Sequence, residues 1–125
     1  MNQPAIGLSG VLLRVGNLDQ EKIFYRDFLR LGEPVVDSGF WVEFRTPGNS
    51  RVILEKSEAP YLEHESSATT LVLATPECDA IRAELARQGF TISAAARIYP
   101  GEVFYRGQDP EGNIFYLTLP NKLSV

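Results

Sequence analysis

The chain carries one pattern twice. An apolar strand-like run leads into a helix-like stretch, three further strand-like runs follow, and a turn containing proline, glycine and asparagine precedes the last run. The first copy spans about Leu8 to Lys56 and the second about Ala68 to Leu119. They align without forcing. Pro47 corresponds to Pro110, and at the same offset Val52-Ile53-Leu54 falls on Phe115-Tyr116-Leu117 and Glu43 on Arg106. A duplicated module must bury its apolar face, and its twin is the nearest partner, so the repeat constrains the fold before any motif is considered. A site is expected where the two copies face each other.

The 125 residues suffice for a domain with a core. A net charge of −4 argues against a phosphate-backbone binder, which needs a basic face. No apolar run approaches the length that spans a bilayer. Nucleic acid and membrane are therefore not expected partners. Met1-Asn2-Gln3-Pro4 has no positive charge ahead of an apolar stretch, so no secretory leader is expected. The single cysteine, Cys78, allows no internal disulfide and fits a cytoplasmic location.

Val11 to Val15 has strand character and stops at Gly16-Asn17. Asn17 is a helix cap with Gln20 three residues on. Phe24, Phe28 and Leu31 then share one helical face. Arg30 suits the last turn, Gly32 the left-handed position after it, and Pro34 blocks continuation. Strands are expected at Val35–Asp37, Phe40–Arg45 and Arg51–Glu55. Ser57 to Ser67, polar and interrupted by Pro60, is the expected linker. In the second copy, Thr69–Ala74 is a strand. Thr75-Pro76 starts a helix with a stripe of Cys78, Ile81 and Leu85, and Gln88-Gly89 ends it. Strands follow near Thr91–Ile98, Glu102–Arg106 and Ile114–Thr118, the last after the hairpin turn Asp109-Pro110-Glu111-Gly112.

A βαβββ module repeated twice, with Phe24-Tyr25-Arg26-Asp27-Phe28-Leu29 in the first helix and Asp109-Pro110-Glu111-Gly112-Asn113 late in the chain, resembles the vicinal oxygen chelate superfamily. That group includes glyoxalase I, fosfomycin-resistance proteins, extradiol dioxygenases and bleomycin-resistance proteins. The resemblance implies an α+β fold in which the two βαβββ modules pair their mixed sheets into a half-barrel cavity, all within a single domain. In metal-dependent members, the first and last strand of each module supply the ligands. The positions so implied here are Gly10, Ile53, Thr70 and Tyr116. Glycine and isoleucine offer no donor, and a neutral threonine or tyrosine hydroxyl is a poor one. A shift of register brings in only Glu55. The sole histidine, His64, falls in the expected linker. The expectation is therefore a protein without metal or other cofactor, similar to the metal-free drug-binding members, and like them a homodimer.

Strand alternation supplies the expected cavity wall. Leu12 and Arg14 come from the first strand, and Trp41, Glu43 and Arg45 from the third. Ile53 and Glu55 come from the fourth, Thr70 and Val72 from the fifth, Phe104 and Arg106 from the seventh, and Ile114, Tyr116 and Thr118 from the last. The candidate ligand-binding residues are Trp41, Phe104 and Tyr116 for stacking and Glu43, Arg14 and Arg106 for orientation. Each has an ordinary alternative. Trp41 and Tyr116 also suit packing. Glu43 and Arg106 also suit a structural ion pair with each other across the cavity, and Arg14 and Arg45 suit either a bound anion or carboxylate or the plain solvation common for strand-end arginines. His64 suits a loop and Cys78 a buried stripe. Three functions remain open. The favoured one is metal-free binding or sequestration of a small organic molecule. The second is a lyase, isomerase or dioxygenase with an atypical site using Tyr116, Glu43 or Glu55. The third is a structural or regulatory partner with no small ligand.

Overall fold

A computed structural model describes residues 5, 8–57, 70–94 and 105–120. The chain divides into two compact units, Met1–Tyr61 and Leu62–Val125. Phe104, His64 and nearly all of the expected linker lie outside the described residues.

The first unit runs β1 (Gly10–Val15), α1 (Leu18–Ile23), a π-helical segment (Phe24–Phe28), β2 (Val36–Asp37), β3 (Trp41–Thr46) and β4 (Ser50–Lys56). The sheet order is β1-β4-β3-β2. The β1–β4 pair is parallel and the other pairs are antiparallel. The second unit repeats this with β5 (Leu71–Ala74), α2 (Cys78–Arg87), β6 (Ile92–Ala94), β7 (Tyr105–Gln108) and β8 (Ile114–Thr118), in the order β5-β8-β7-β6. The repeated βαβββ pattern and the α+β class are both present. Among the described residues, no helix is long and apolar enough to cross a membrane.

Alternation divides each sheet into a helix side and an outer side. In the first unit Val15, Val42, Phe44, Val52 and Leu54 are buried, and α1 packs against β3 and β4. In the second, Leu71, Phe115 and Leu117 join Ile81, Leu85 and Cys78 of α2 in the core. The outer-side residues Leu12, Val36 and Val72 stay exposed despite being apolar.

The helix termini follow local chemistry, with two departures. Asn17 caps α1 by accepting the Gln20 N–H at 3.1 Å. Beyond Ile23 the helix widens, and the Leu29 N–H donates to the Phe24 carbonyl five residues back at 2.9 Å. That wider turn rotates the buried face, so Phe24, Tyr25 and Leu29 are buried while Phe28 and Leu31 are only half-buried. Arg30 follows the C-cap residue Leu29, outside the last turn, and is itself left-handed, with φ 61°, ahead of Gly32 at φ 84°. In the second unit, α2 begins at Cys78 rather than Pro76. Thr75 still serves the start, because its hydroxyl accepts the Glu77 N–H at 3.1 Å. Gly89 at φ 88° closes a Schellman motif, with the Phe90 N–H on the Leu85 carbonyl and the Gly89 N–H on the Ala86 carbonyl.

The Asp109–Asn113 turn is fixed by one buried carboxylate. Asp109 accepts the N–H groups of Glu111 and Asn113 at 2.9 Å and the Asn113 side-chain amide at 2.8 Å. Gly112 takes φ 88°. Turn and carboxylate together set the β7–β8 register that places Arg106 opposite Tyr116.

Candidate functional site

The ladder registers arrange the outer side of the first sheet in three rows. One row is Gly10, Arg51 and Arg45. The next is Leu12, Ile53, Glu43 and Val36, and the third is Arg14, Glu55 and Trp41. The middle row is apolar except for Glu43. That carboxylate is 8% exposed, an unusual position for an ionised group unless it is paired.

Glu43 is paired twice within its own sheet. Trp41, two residues earlier on the same face of β3, donates its indole N–H to Glu43 Oε1 at 3.1 Å. Arg51, diagonal to Glu43 across the β3–β4 ladder, donates to Oε2 at 2.7 Å. Diagonal neighbours lie about 7–8 Å apart at the backbone, a gap that a long side chain closes. The second terminal nitrogen of Arg51 donates to Ser9 Oγ at 2.7 Å. The result is a chain from Trp41 through Glu43 and Arg51 to Ser9. The Arg51 hydrogen bond, and after it the Trp41 bond, hold the Glu43 carboxyl below its ordinary pKa against the opposing effect of burial. Glu43 is thus an ionised acceptor whose two oxygens are both engaged. It is a weak candidate for a general base, which needs free access to a proton near its own pKa.

Along the third row, Arg14 Nε lies 3.3 Å from Glu55 Oε1. The pair is well exposed, so its contribution is small. In the second sheet, the equivalent of the apolar middle row is Val72, Tyr116, Arg106 and Ser93. Arg106 is exposed and Tyr116 half-buried beside it, so a ring and a guanidinium stand as cross-strand neighbours. On the helix side, Tyr105 donates its hydroxyl to Asp79 at 2.5 Å, and the Arg82 guanidinium lies 5.5 Å from its ring centroid. The Asp79 bond pushes the Tyr105 pKa up, which suits a tie between β7 and α2. Cys78 is buried on the stripe expected of it, and burial raises its thiol pKa.

Within the first sheet, Trp41, Glu43 and Arg14 of the expected set share one face, and within the second Arg106 and Tyr116 do. The ion partner of Glu43 is Arg51 of its own sheet in place of the expected Arg106, and neither Arg51 nor Ser9 was among the expected site residues. The signal was available. Period-two alternation puts Arg51 on the same side of β4 as Ile53 and Glu55.

The positions that the resemblance aligns with metal ligands do not fit a divalent ion. A Cβ at Gly10 would sit 2.7 Å from the Arg51 carbonyl oxygen, so backbone excludes a side chain there. Ile53 is buried and aliphatic. Among the described residues, no three His, Cys, Asp or Glu side chains gather into a metal-holding group.

Solved structures share this architecture over nearly the whole chain. A lactoylglutathione lyase from Agrobacterium tumefaciens superposes with a TM-score of 0.72 at 20% identity, covering 98% of each chain. TnmS3, an antibiotic binding protein from Streptomyces sp. CB03234, gives 0.71 at 21% identity, covering 95% of this chain and all of its own. The fold is the vicinal oxygen chelate fold. Oxidase ChaP-H1 matches it with a TM-score of 0.74 at 14% identity, over 96% of this chain and 100% of its own. No protein-family model and no curated protein matches the sequence. Structures with one fold here carry a lyase, an oxidase and a binding protein, so the likeness establishes architecture and the side chains must carry the argument for activity.

Proposed function

We propose that this vicinal oxygen chelate protein binds or sequesters a small, partly aromatic organic molecule without a metal ion. The supporting observation is the arrangement at Glu43. An indole and a guanidinium converge on one buried carboxylate beside the exposed apolar residues Leu12 and Val36. A fixed aromatic ring next to apolar surface and a few oriented polar groups is the usual composition of a small-molecule site. The similar structure of an antibiotic binding protein agrees with this reading. The engaged oxygens of Glu43 and the excluded side chain at Gly10 weigh against acid–base or family-type metal chemistry at these positions.

The protein works in this proposal as a cytoplasmic homodimer. Among the described residues β1, β2, β5 and β6 are each paired on one side only, and a second copy can cover the backbone groups of such edges.

The test uses Trp41, the single tryptophan, as its own reporter. A panel of aromatic metabolites and antibiotics is titrated while tryptophan emission and melting temperature are followed, with and without a chelator. The expected result is saturable quenching with a raised melting temperature, unchanged by chelation. A panel with no effect on either signal refutes the binding function. Saturable binding that chelation abolishes refutes its metal independence.

A further inference from the structure

The outer side of the first sheet holds more positive charge than its own carboxylates neutralise. Arg45 and Arg51 are direct cross-strand partners on β3 and β4. Their side chains leave the same face about 5 Å apart, where like charges repel and cost stability. Glu43 relieves one of them, Arg51, at 2.7 Å. Arg14 and Glu55 neutralise each other along the third row. Arg45 is exposed and, among the described residues, has no hydrogen bond or ion pair. One guanidinium with no bonded carboxylate, attracted at longer range by Glu43, therefore stands on this face of a chain whose net charge is −4. A folded protein that tolerates this local repulsion has a cationic anchor with all its donors available, the fork geometry that suits an oxyanion.

The position of Arg45 relative to Trp41 defines a shape. Both are on the same face of β3, four residues apart, with their Cα atoms separated by about 13 Å. The arginine stem is flexible and can reach back along the strand, which shortens the working span. Between them lie Glu43, already held by its two donors, and the flanking apolar row. An anionic group seated on Glu43 would be repelled, whereas an anion beyond it at Arg45 would be attracted, with Arg51 adding to the local field.

We infer that this face selects an aromatic molecule carrying a carboxylate or similar oxyanion at one end, with its ring on Trp41 and its anion on Arg45. The inference rests on the proposed binding function of this face and adds the charge and length of the ligand.

The test compares two probes of one shape, biphenyl-4-carboxylate and the neutral biphenyl-4-carboxamide. With a single tryptophan, the protein gives one indole N–H resonance, which reports occupancy beside Glu43 free of optical interference. At low salt the acid is expected to bind about fivefold more tightly than the amide, the scale of one partly solvated ion pair. Added salt should shrink that preference. Arg45→Gln should lower the acid to the affinity of the amide while leaving the amide unchanged. Arg87→Gln, on α2 in the other unit, should leave the preference intact. Equal binding of acid and amide by the native protein, or a preference that survives Arg45→Gln, overturns the inference while the binding function stands. A resonance that neither probe moves refutes both for this face.

Discussion

Removing the Arg51 side chain tests the central arrangement most directly. Arg51→Ala leaves a carboxylate that is 8% exposed with only the Trp41 indole as donor. A hydrogen bond to a charged group contributes about 1.5–3 kcal/mol when sheltered, and an exposed ion pair under about 1 kcal/mol. Glu43 is sheltered and Arg51 is about one-third exposed, so the pair falls between these limits. The expected loss is about 1.5 kcal/mol near neutral pH, or roughly 3–8 °C in melting temperature for a chain of this size. The pH dependence has a definite sign. The folded-state pKa of Glu43 is depressed, so its stabilisation is fully present above the ordinary carboxylate value and is lost as pH falls through the folded value. The gap between native and Arg51→Ala proteins should therefore be widest near pH 7 and narrow steadily below about pH 4. Urea unfolding across that range measures it. A cycle with Glu43→Gln isolates the coupling, and Ser9→Ala separates the hydroxyl bond to Arg51. A gap that is the same at low and neutral pH, or a coupling under about 0.3 kcal/mol, would mean that solvent screens the pair and that Glu43 is not held as described.

Other substitutions probe how the sheets are held. Gly107→Ala should cost about 1–3 kcal/mol by urea unfolding, because a Cβ there would sit 2.5 Å from the fully buried Phe115 ring; a neutral effect would contradict this packing. Asp109→Ala removes the acceptor of three hydrogen bonds and should destabilise by about 2 kcal/mol, with Asp109→Asn milder, and equal effects would place the turn's stability elsewhere. Cys78 should react with a disulfide reagent far more slowly than a free thiol until denaturant is added, since burial and then the Asp79 charge raise its pKa; fast native-state labelling would show the thiol to be accessible.

The sequence by itself determined the repeated module, the strand alternation and the turns. These are local matters. Side chains on a strand point alternately to opposite sides wherever the strand sits, so Val42 and Phe44 were destined for the core and Trp41 and Glu43 for the other side. Asn17 and the turn at Asp109 act on backbone groups a few residues away, within reach of the local sequence alone. Tertiary structure decided what depends on neighbours distant in sequence or on packing. The widening of the first helix buries Tyr25 and Leu29 in place of Phe28 and Leu31, and ordinary helical periodicity has no term for that shift. The partner of Glu43 was decided by the β3–β4 register, which brings Arg51 onto its diagonal within bonding reach. The same register left Arg45 opposite another guanidinium with no carboxylate bonded to it. A row of side chains follows from one strand, but a site follows from which rows the hydrogen-bonded ladder sets side by side.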